Sequence, residues 1–190
     1  MSSGTANLIE NCKIPIGIFN TFRKLWTQHV MWTRSFIIST AADLGDLQPV
    51  TNRLLRNPAD FAKALLPYYG EERAKQFSDL LTKHLTIAAQ LVNAAKAGDT
   101  ETANEERRKW YSNADEIAAF LASINPYWSK VQWTLMLRDH LRVTEEEAVD
   151  RLTGQYAKDV ALYDVIEDQA LMMADYMATG ILKQFFINQN

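Results

Sequence analysis

Four polar side chains stand where the chain's periodicity calls for apolar ones. His29, His84, Asn113 and Glu167 each fall on the apolar stripe of a segment with helical spacing. Imidazole and carboxylate are ordinary ligands of zinc and iron. If they converge, His29, His84 and Glu167 form a candidate metal site, with Asn113 as an outer hydrogen-bonding group. The same four residues also read as a buried hydrogen-bonded network that fixes helix register. Both readings stay open on the residues alone.

Helix geometry bears on whether they can meet. At about 1.5 Å per residue, His29 lies roughly 22 Å before the end of its helix, and His84 roughly 20 Å after the start of the next long one. If those ends adjoin, the two imidazoles share a level, and Asn113, about fourteen residues into the following helix, reaches it as well. The depth of Glu167 is less constrained, and Asp164 and Asp175 are its alternatives. His140, in Arg138-Asp139-His140, reads as a surface histidine near a helix C-terminus. Trp26, Trp32 and Arg34 read as aromatic core with a paired arginine, or as an anion-binding arginine between aromatic walls. In the second case Trp32, Arg34 and the inward-facing Trp110 join Asn113 as ligand-contact candidates.

Several other chemistries lack their motifs. The residues three before His29, His84 and His140 are Trp26, Leu81 and Leu137, so the Glu-x-x-His pattern of di-iron bundles is missing. There is no HExxH, P-loop, GxGxxG or G-x-S-x-G segment, so no nucleotide cofactor is expected and no phosphate-binding motif supports a kinase. Cys12 is the only cysteine, which excludes an internal disulfide and suits a reducing compartment. The start of the chain lacks the pattern of a signal peptide, and a cytoplasmic location is expected.

The elements that must position these residues are long helices. Seven glycines and five prolines in 190 residues are few, and they fall mainly between periodic segments. No internal repeat stands out. Residues 1–13 are polar and expected to be loose, followed by a single domain over 14–190. One helix is expected from about Phe19 to Leu44, a second from Glu71 to Ala97, and a third from Asp99 to Ile124. The fourth and longest is expected from Glu145 to Phe185, with Gly154 and Gly180 as weak points. Asn57-Pro58 reads as an N-cap and first-turn proline of a short helix that ends before Pro67. Thr144-Glu145-Glu146-Glu147 reads as a capping box. The expected fold is an all-α four-helix bundle with additional short helices in the 45–70 connector and at 128–142.

Charge and apolar patterning limit the partners. A net charge of −3 and no basic run longer than Arg107-Arg108-Lys109 argue against nucleic acid. The apolar stretches are too short and too often broken by charge for a membrane span. A structural reading has the polar layer specify packing only, with an apolar surface around Trp128, Trp133 and Phe185-Phe186 docking a second copy or another protein. An enzyme would need a water-accessible cavity at the histidine layer.

Three segments carry a resemblance: Leu25-Trp26-Thr27-Gln28-His29-Val30-Met31-Trp32-Thr33-Arg34, Asn113-Ala114-Asp115-Glu116-Ile117-Ala118 and Asn125-Pro126-Tyr127-Trp128. They resemble a family of small, uncharacterised, all-helical bacterial proteins, some of which carry the name acetylglutamate kinase. The resemblance covers nearly the whole chain after Lys13. It implies the helical fold and a bacterial origin, and brings no catalytic residue with it.

Overall fold

The computed structural model describes residues 3–187, with side chains from residue 15 onward. Met1 and Ser2 of the segment expected to be loose lie outside the described residues, and so do the side chains of residues 3–13. Among the described residues six α-helices follow one another: α1 (Ser3–Ala41), α2 (Leu47–Leu55), α3 (Asn57–Ala97), α4 (Thr100–Ile124), α5 (Lys130–Leu152) and α6 (Tyr156–Leu182). A short π-helical turn, Lys183–Ile187, closes the described chain. There is no strand among the described residues, and no helix is long and apolar enough to cross a membrane. The all-α bundle expected from the periodicity is therefore the fold.

The 45–70 connector holds the short helix α2 as expected, while residues 57–69 and 130–152 are full members of the bundle. Residues 57–69 form one arm of α3, which runs through Pro67 and turns at Gly70. Gly70 has φ 76° and ψ 172°, a region open in practice to glycine alone. The turn reverses the chain: the rings of Phe61 and Phe77 lie 5.7 Å apart, whereas one straight helix would separate them by about 24 Å. Residues 130–152 form α5, capped by Ser129, whose hydroxyl accepts from the Gln132 N–H. The single helix expected over 145–185 is broken by Gly154, at φ 75°, between α5 and α6. Thr144-Glu145-Glu146-Glu147 consequently lies inside α5 and starts no helix. Helix α1 also begins earlier than Phe19, since Pro15 removes one backbone donor without ending it.

The result is three helical pairs arranged in a ring. Helix α1 pairs with the 57–69 arm of α3, the 71–97 arm of α3 with α4, and α5 with α6; α4 then packs on α5, and α6 on α1. Trp128 and Trp133, expected on an exposed docking surface, are buried inside this ring (2% and 0% exposed), while Phe186 stays exposed. Trp128 sits where Gly180 leaves room: a Cβ there would lie 1.9 Å from its indole Nε1. Each fully buried side chain of this size contributes about 1.5–3 kcal/mol of apolar burial.

The core divides into two clusters. The larger takes Phe22, Leu25 and Trp26 from α1, Phe77 and Leu81 from α3, and Trp133 and Leu137 from α5. The smaller takes Phe36 and Ile37, then Leu85 and Val92, then Ala148 from the same three helices further along. His29, His84 and His140 stand on those helices between the two sets.

Candidate metal centre

All three histidines of the chain meet in the core. His29, His84 and His140 are each no more than 2% exposed. Their ring centroids are 6.1, 5.5 and 6.4 Å apart, a nearly equilateral triangle with one imidazole from each helical pair. One ring nitrogen from each lies within 4.8 Å of the other two.

Each imidazole is held by the same device. The Nδ1 of His29 is 3.1 Å from Asn57 Oδ1, that of His84 is 3.0 Å from Asn113 Oδ1, and that of His140 is 3.2 Å from Gln169 Oε1. The amide nitrogens donate to backbone carbonyls: Asn57 to Leu25, Asn113 to Leu80, and Gln169 to Met136. That anchor leaves each amide oxygen facing its imidazole. An oxygen only accepts, so Nδ1 carries the proton and donates, and Nε2 keeps its lone pair. Each carbonyl belongs to the residue four before its histidine, one helical turn back. The amide therefore locks ring orientation and tautomer together.

The device recurs through the sequence. Histidine and amide are separated by 28, 29 and 29 residues, and the unit repeats at a period of about 55 residues. The neighbours repeat too. Phe22, Phe77 and Trp133 lie two turns before the histidines, and Ala62, Ala118 and Ala174 lie five residues after the amides. An internal threefold repeat is thus present although none stands out from the composition, because apolar type recurs at these positions more often than identity.

The environment keeps all three rings neutral. Burial holds His29 down to about 4, opposed by its hydrogen bond to Asn57. Burial, and then the proximity of His29, holds His84 down to about 3. His140 lies well below its ordinary value for the same reasons, burial first and then His29 and His84. Neutral imidazoles are the form that binds metals.

The arrangement differs in part from the expected site. His29 and His84 converge and Asn113 is the outer partner of His84, while His140 is the third member of the cluster and not a surface residue. Glu167 is half-buried outside the histidine cluster, and Gln169, two residues on, holds the corresponding position of α6. Asn57 is no N-cap; its amide is committed to His29 and Leu25. Trp110 does belong to the layer: its indole Nε1–H donates to His84 Nε2 at 3.2 Å. Its counterparts in the other two repeats are Leu54 and Ile166, which have no donor. Trp32 lies under the Arg53 guanidinium and packs on the smaller cluster.

Arg34 is engaged inside the protein and offers no open anion site. It donates to Glu147 Oε1 and Asp159 Oδ1, each at 2.5 Å, and both carboxylates are 1% exposed. Burial would weaken the guanidinium's hold on its proton, but the two carboxylates outweigh it and its pKa is raised. Burial pushes Glu147 up to about 7 against the pull of Arg34.

Comparison with protein families, curated proteins and solved structures returns no match for this chain.

Proposed function

We propose that this protein is a metal-binding helical bundle whose centre holds one divalent transition ion, zinc or iron, on the Nε2 atoms of His29, His84 and His140. The observation that carries the reading is the threefold His–carboxamide–carbonyl relay. A metal-ligating histidine donates its other N–H to a fixed acceptor, and here three of them do so with one tautomer. Nitrogens about 2.1 Å from a tetrahedral ion stand about 3.4 Å apart. The rings therefore close by roughly 1 Å around the ion, and His84 exchanges the Trp110 hydrogen bond for a metal bond. Three protein ligands leave one position for water or a small anion, as in sites where a metal acts on a substrate. The ligands are neutral, so that fourth group also balances the charge. The reducing, cytoplasmic setting suggested by Cys12 belongs to the same reading.

Cobalt(II) titration of EDTA-treated, untagged protein tests it. One equivalent should produce the visible d–d absorption of a four- or five-coordinate nitrogen site, absent in His84→Ala and His140→Ala, while Trp110→Phe should bind more tightly. A spectrum that stays that of aqueous cobalt in folded wild-type protein rules the site out.

One observation favours a second reading. The Trp110 donor satisfies His84 Nε2 without a metal, as a layer serving only to fix helix register requires. In that case Trp110→Phe lowers stability and confers no gain in metal affinity.

A further inference from the structure

A cavity of about 50 Å³ lies in the smaller cluster, against the histidine layer. Its walls include Phe36, Ile37, Leu54, Leu85, Val92 and Ala148. It also touches Thr33, Ala88 and Thr144, each one helical turn beyond its histidine, and Trp110, the donor to His84. Trp110 and these one-turn neighbours thus form the wall of the cavity on the side of the histidine layer, and no histidine lines it. Toward the surface it is bounded by Arg107 and Glu145, which form an ion pair.

Two features define what fits. A water needs about 10–15 Å³ of such space, so the volume has room for about four, yet each needs two to four polar partners. The walls scarcely provide them. The Thr33 hydroxyl is committed to the His29 carbonyl at 2.8 Å, and the Arg107 guanidinium is held by Glu145 and Asn104. By contrast the Thr144 hydroxyl, on a residue 4% exposed, has no hydrogen-bond partner. Thr33 shows how readily such a hydroxyl bonds its own helix at the preceding turn; Thr144 does not do so. A buried hydroxyl without a partner costs about 1–3 kcal/mol.

We infer that the cavity is a binding site for a small hydrocarbon with a single oxygen function, an alcohol, aldehyde or ketone of about three to five heavy atoms. The hydrocarbon part fills the aliphatic pocket, and the oxygen pairs with Thr144 Oγ1. Trp110, the donor to His84, and Thr144, one turn beyond His140, both line the site, so the oxygenated end is placed on the side of the histidine layer. The site does not depend on a bound metal, and its test is made on metal-free protein, so that its failure and that of the metal centre are distinguishable.

1-Butanol and xenon are the two probes, read by ¹³C-methyl shifts of Ile37, Leu54, Leu85 and Val92. In wild type both should give saturable shifts confined to these methyls. Ala148→Phe, or Ala88→Leu should the first variant fail to fold, fills the space and abolishes both responses. Thr144→Val should weaken 1-butanol about tenfold and leave xenon unchanged. The inference is overturned if neither probe shifts the wild-type methyls, or if filling the cavity leaves the shifts intact. It is equally overturned if 1-butanol binds Thr144→Val as well as wild type, since the hydroxyl then selects nothing.

Discussion

Acid should unfold the metal-free protein through its three central histidines. An unfolded imidazole titrates near 6.5. In the bundle His29 and His84 are held down to about 4 and about 3, and His140 well below its ordinary value. The unfolded chain therefore binds these protons first. Stability is complete above about pH 6.5 and is lost as pH falls toward the folded values. Between pH 7 and pH 5 each histidine removes about 2 kcal/mol, and the three together about 6 kcal/mol. Glu147 acts in the opposite sense. Burial raises it to about 7 despite Arg34, so over this window the folded chain takes up a proton that the unfolded carboxyl does not. That returns about 2 kcal/mol at pH 5. The net loss is about 4 kcal/mol, a large part of the 5–15 kcal/mol typical of a folded domain. Urea unfolding in EDTA, followed by circular dichroism at half-unit pH steps, measures it. The slope near pH 5.5 should correspond to about two protons, rising to about three in Glu147→Gln and falling by one in His84→Gln. A flat profile from pH 7 to pH 5, or a slope unchanged in His84→Gln, would refute the assignment of buried neutral imidazoles.

Other predictions rest on single contacts. Asn113→Leu strands the His84 Nδ1–H and removes the second hydrogen bond to the Leu80 carbonyl, and should cost about 2–5 kcal/mol in chemical denaturation; a loss under about 0.5 kcal/mol would contradict the relay. Arg34→Leu leaves Glu147 buried and unpaired, and leaves Asp159 with Arg151 alone, 3.5 Å away. It should cost about 3–5 kcal/mol at pH 8 and clearly less at pH 5, where Glu147 is protonated; equal costs at the two pH values would count against the ion-pair account. Gly180→Ala drives a methyl into the Trp128 indole. It should lower stability by at least about 1–3 kcal/mol and alter the near-ultraviolet dichroism of the tryptophans, and an unchanged spectrum would show that the close approach is not there.

Much of the bundle was legible in the sequence because the 3.6-residue period is a local signal. The stripes through Phe22 and Trp26, or Phe77 and Leu81, mark buried faces whatever packs on them. Boundaries were less legible where one residue type serves two purposes. Asn57 before Pro58 has the form of an N-cap, yet its amide is used 28 residues away on His29. Thr144-x-x-Glu147 has the form of a capping box, yet Glu147 is drawn into the core by Arg34. Gly154 in a periodic stretch reads as a soft spot, and only its positive φ makes it a chain reversal.

At the site, the depth of His29, His84 and Asn113 followed from counting rise along helices. His140 did not, because its charged neighbours Arg138 and Asp139 look like a surface. In the structure those two charges bind partners on the outer face, Asp115 and Arg142, while the imidazole turns inward. The signal that could have found it was the repeated spacing of histidine to carboxamide, which also leads to Asn57 and Gln169. A carboxylate is an ordinary metal ligand, so the residue types point to Glu167, whereas Gln169 two residues on holds the position. A neutral amide is what the geometry uses, since it can hold the imidazole and the backbone carbonyl at once.

The central claim is that the three imidazoles hold a metal ion. Metal content by mass spectrometry, on protein purified without a histidine tag, tests it most directly, with wild type and His140→Ala prepared side by side. The account predicts close to one zinc or iron per chain in the wild type, lost in a variant that remains folded. Wild-type protein that carries no metal and cannot be loaded with zinc or iron would contradict it, and would leave the histidines as a hydrogen-bonded layer that fixes the packing of the bundle.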